Sequence, residues 1–79
     1  MIAIGTFMRQ QIIQSLHQHL QAEIQKHRIN IEIMLQNPMA FHEHANYMAA
    51  VEEQLANISQ YHDKLEVLEK YFNADLAQG

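Results

Sequence analysis

A single proline, Pro38, and two glycines, Gly5 and Gly79, leave this chain of 79 residues very few places to reverse direction. Turns lean on glycine and proline because these residues supply the backbone angles that a reversal needs. A β-sandwich or barrel requires many reversals, so their scarcity points to a few long elements and one main bend. The bend falls at Asn37-Pro38. Proline disfavours helical geometry in the residue before it and has no amide hydrogen to donate. The sequence therefore predicts one all-α domain spanning residues 1–79, with helices at about 7–36 and about 44–72 and a loop at about 37–43.

Periodicity supports both helices. In the second, Met48, Val51, Leu55, Ile58, Leu65, Leu68 and Phe72 recur at steps of three and four, with His62 in the one polar position of the stripe. Residues three and four apart share a helix face. Glu52, Glu53, Gln54, Gln60, Asp63, Lys64, Glu66 and Lys70 fill the opposite side. In the first helix the stripe is Ile13, Leu16, Leu20, Ile24, His27, Ile31 and Leu35, with Phe7, Met8 and Ile12 extending it and Thr6 as the expected N-cap. Its steps average about 3.67 residues, the period of nearly straight packing rather than of a strict heptad. Gln10, Gln11, Gln14, Gln18, Gln21 and Gln25 make the remaining surface uncharged.

Arg28 to Ile33 alternates polar and apolar residues, a strand signal, but a lone strand has no partner here and Met34 and Leu35 continue the helical stripe. Kept helical, this segment leaves Ile29 and Ile33 off the main stripe. Two such helices make an antiparallel hairpin whose stripes are half covered. The expected assembly is a homodimeric four-helix bundle, with larger symmetric oligomers next. Ile29 and Ile33 leave their end of the first helix apolar on two sides, which invites a second partner. Met34, Met39 and Met48 flank the bend with Phe41 and Tyr47, either filling the space beneath the loop or docking a protein partner. Ile29, Ile33, Met34, Met39, Phe41 and Tyr47 are the candidate interaction residues.

Charge narrows the function classes. Residues 1–37 carry three basic against two acidic side chains, while residues 38–79 carry two against seven. Neither half has the clustered Lys/Arg footprint of a nucleic-acid binder, and no run reaches the ~20 apolar residues of a membrane span. Cysteine is absent, which excludes disulfides and thiol chemistry. The first residues lack the basic and apolar regions of a signal peptide, so a cytoplasmic setting is expected.

Six histidines are the most conspicuous excess. His42-Glu43-His44 offers metal-ligating atoms, but residues two apart point away from one another and no third ligand shares their spacing. A metal-binding or pH-responsive accessory module, using His42, Glu43, His44, His17 or His62, is the alternative to an interaction protein. His27 and His62 stand on the two stripes; if the bend is near residue 40, they face the Val51-Glu52 and Leu16-His17 turns respectively. Each is either a hydrogen-bonded core histidine or a titrating group at an interface. Nucleophilic catalysis finds little: Ser15 and Ser59 are mid-helix, and His62 and Asp63 are neighbours in sequence and splay apart. No enzyme activity and no cofactor are expected.

Leu35-Gln36-Asn37-Pro38, then Glu43-His44, then the run from Tyr61 to Phe72 resemble small all-helical proteins of unassigned function from large contractile-tailed phages, especially those infecting cyanobacteria. The resemblance covers most of residues 8–72 and rests on helix and turn motifs. Where that family has a glycine-containing loop, this chain has Met39-Ala40-Phe41. The resemblance implies a viral gene expressed in a bacterial host, acting in host cytoplasm or virion, and carries over no functional residues.

Overall fold

Two helices, α1 (Ile2–Gln36) and α2 (His44–Phe72), pack side by side as an antiparallel hairpin in this computed structural model. It describes residues 2–37 and 44–72, with side chains over 5–37 and 44–72. The particle is a rod with principal extents of 61 × 18 × 17 Å. Helix α1 starts at Ile2, ahead of the expected cap at Thr6. Gly5 lies inside it without a positive φ, so helical geometry runs through the glycine. Arg28 to Ile33 is helical, with no strand among the described residues.

Asn37 closes α1 twice over. Its backbone amide donates to the Met34 carbonyl at 3.2 Å, and its side-chain amide donates to the Ile33 carbonyl at 3.0 Å. Both acceptors belong to the last turn, where carbonyls have no partner within the helix. At the other end of the rod, Arg9 donates to the Phe72 carbonyl at 3.0 Å. A guanidinium there also complements the negative end of the α2 dipole.

The inward faces differ from the stripes read in the sequence. Along α1 the buried and half-buried set includes Ile13, His17, Leu20, Ile24, His27, Ile31 and Met34; along α2 it includes Tyr47, Val51, Gln54, Ile58, Tyr61, Leu65 and Leu68. Both runs step by four and three in strict alternation, a 3.5-residue period in place of the 3.67 expected for the first helix. His17 stands inside instead of Leu16, Met34 instead of Leu35, Gln54 instead of Leu55, and Tyr61 instead of His62. Adjacent residues on a helix lie about 100° apart, so the first three exchanges each rotate a leucine from the seam to its flank, and the fourth does the same for His62.

The resulting apolar core is small. Ile13, Leu20 and Leu68 are buried, with Tyr61 and Leu65 packed against them. Among the described residues twelve large apolar side chains stay exposed, including Phe7, Met8, Ile12, Leu16, Leu55 and Val67. No helix among the described residues is long and apolar enough to cross a membrane.

Candidate functional site

Midway along the rod the seam becomes polar. His27 is buried, with Nδ1 2.6 Å from Gln54 Oε1. Asn30 donates to that same oxygen at 3.1 Å. An oxygen that accepts from Asn30 must also be the acceptor for His27, so the imidazole carries its proton on Nδ1. Nε2 then looks toward the Glu23 carboxylate, 3.7 Å away, which is itself bound to Lys26 at 2.9 Å. The hydrogen bond from Lys26 is the main reason that the Glu23 carboxyl sits below its ordinary value of 4.5; partial burial opposes the shift.

Tyr61 covers this layer. Its ring stacks on His27 with centroids 5.9 Å apart and planes 13° apart, and His19 meets it edge-on at 6.3 Å. The Lys64 ammonium lies 5.4 Å from the same ring. Toward the open end His17 pairs with Glu69 at 2.9 Å; toward the bend the Tyr47 hydroxyl donates to the Met34 carbonyl at 3.1 Å. Polar contacts across a partly buried seam favour one register of two helices, because a slip separates the paired groups.

Two open apolar grooves flank the seam beside this layer and share Leu16 as a wall. One runs along α1 past Met8, Ile12, Ser15 and His19. The other lies between the helices over Leu20, Val67, Leu68 and Phe72, with Asp63 and Lys64 on its rim. Both are open and chiefly apolar, with the Asp63 and Lys64 side chains at one edge of the second, so they suit an apolar side chain from another helix better than a polar small molecule.

The sequence-derived candidates are therefore spread out. His27 is in the seam, where it meets Gln54 and Tyr61. His62 is off the seam, with its side chain 56% exposed and Nδ1 3.9 Å from Glu66. The group facing His17 is Glu69. Ile29 and Ile33 are exposed, whereas Met34 and Tyr47 are half-buried near the bend. Met39, Phe41, His42 and Glu43 lie outside the described residues. The structure groups His62 instead with Asp63 and Glu66, their ligand atoms within 4.8 Å of one another, but all three are exposed. Water competes freely for any ion there, and no wall encloses one.

Sequence reasoning missed the grooves. In the sequence Met8 and Ile12 extend one stripe and Leu16 belongs to it; His17 beside Leu16 is the sign there that another residue fills the seam. Comparison with protein families, curated proteins and solved structures finds no match.

Proposed function

We propose that this chain is a non-enzymatic interaction protein, a helical hairpin that self-associates and in that form binds another macromolecule. A homodimeric four-helix bundle is its simplest closed assembly. One observation carries the reading: three apolar side chains are buried, against twelve large ones left exposed among the described residues. Helical hairpins of this size lack the core to stand alone and gain it by association. The accessible surface, 6268 Å², exceeds the about 4,900 Å² of a typical folded monomer of this mass. The resemblance to helical phage proteins suggests a setting, viral assembly or the modification of a host complex.

Static light scattering and thermal melts across roughly a hundredfold range of concentration test the reading. The expected mass is twice 9.2 kDa. The melting temperature should climb with concentration, as mass action demands when association and folding are linked. A mass of 9.2 kDa throughout, with a fixed melting temperature, would sink it.

A further inference from the structure

We infer that the first half of α1 is the contact between two copies of this chain, with α1 meeting its own copy antiparallel across a two-fold axis near Ile12 and Ser15. The inference rests on the self-association reading and names its face. Three observations select it.

The first is continuity. The two grooves join at Leu16, so the exposed apolar side chains of α1 and α2 at this end form one surface instead of scattered points. Met8, Ile12, Leu16, Val67 and Phe72 are each about half exposed. Side chains of this size bring that surface to on the order of 500 Å² per copy, so that two copies bury the ~1,000 Å² in total that a specific interface needs.

The second is charge. Near a two-fold axis each side chain meets its own copy, so a charged surface meets its own sign. Residues 5–22 contain one Asp, Glu, Lys or Arg side chain, Arg9, and its guanidinium already donates to the Phe72 carbonyl. Helix α2 carries five acidic and two basic residues, a net of −3. Pairing α2 with its own copy would set like charge against like; pairing α1 costs little desolvation. A self-complementary contact therefore belongs to α1.

The third is shape. Ser15 is the smallest side chain along the α1 groove and allows the closest approach there. An axis beside it places Ile12 near Ser15 of the second copy and Met8 near His19. Met8 then reaches the mouth of the groove over Leu20 and Val67 of the other hairpin, covering the core from outside.

The absence of cysteine gives a clean test. A residue beside a two-fold axis can form a disulfide with its own copy, because that bond needs Cα atoms within about 7 Å. Under mild oxidation at micromolar concentration, Ser15→Cys should form the linked dimer at least ~10-fold faster than Ser59→Cys on the exposed face of α2, reflecting effective concentration. Ile12→Glu, at a side chain already exposed, should halve the scattering mass while leaving the helical circular dichroism in place. Mixing it with Ile12→Lys should restore the dimer. A dimeric unaltered chain in which Ser15→Cys links no faster than Ser59→Cys overturns the α1 face alone. A monomeric unaltered chain overturns both this inference and self-association.

Discussion

The two halves of the hairpin are joined by different chemistry. Toward the open end, Ile13, Leu20 and Leu68 are buried and more apolar surface waits outside them. Toward the bend, His27, Asn30 and Gln54 meet through a shared carbonyl oxygen, and Tyr47 holds the end of α1. Hydrophobic contact is strong but indifferent to direction, so it tolerates sliding and additional partners. Hydrogen bonds contribute modestly in net terms, yet breaking one inside a seam is costly, so they select one alignment. The open half thus supplies most of the buried apolar contact, and the half toward the bend supplies the shared-oxygen cluster that favours one register.

Substitutions in the two halves should differ in kind. The largest effect is expected from Leu20→Ala, about 2–4 kcal/mol in urea unfolding, because it removes one of three buried apolar side chains among the described residues. Leu16→Ala, one turn away on the flank, should cost less than about 1 kcal/mol at low concentration and act mainly on association. Equal costs at the two positions would erase the distinction between core and groove.

In the polar half, Gln54→Leu strands the His27 and Asn30 donors and should cost about 1–3 kcal/mol. Replacing His27, Asn30 and Gln54 together by leucine should recover most of that loss while admitting alternative registers, seen as broadened amide resonances. If the triple variant kept a single sharp spectrum, the register role would fail.

At the open end, Arg9→Ala should cost about 0.5–1 kcal/mol by freeing the last carbonyl of α2, as read from thermal melts at low salt. The smallest effect concerns acid. Glu23 has a lowered carboxyl value in the folded chain, chiefly through Lys26, so its stabilising contribution is present above the unfolded value. It is lost as pH falls through the folded value. Melts of Glu23→Gln should therefore lack a small part of the decline that the unaltered chain shows below about pH 4.5. An identical decline in both would remove Glu23 from the account.

Sequence and structure agree on the two helices and on Asn37 ending the first, since both follow from local physics: proline's missing amide, few glycines, and apolar residues three and four apart. The grooves were less legible. Each helix carries apolar residues on adjoining positions, Leu16 beside His17 or Leu55 beside Gln54, and hydropathy favours the apolar member of each pair. The folded hairpin instead turns His17 and Gln54 inward, where they meet Glu69 and His27, and leaves both leucines outside.

From the sequence alone came rods, break and greasy surface, because these depend on each residue and its near neighbours along the chain. Which side of each rod turned inward was decided only when the two met. A side chain's best partner is set by the atoms of the opposite helix, and no reading of one helix contains them.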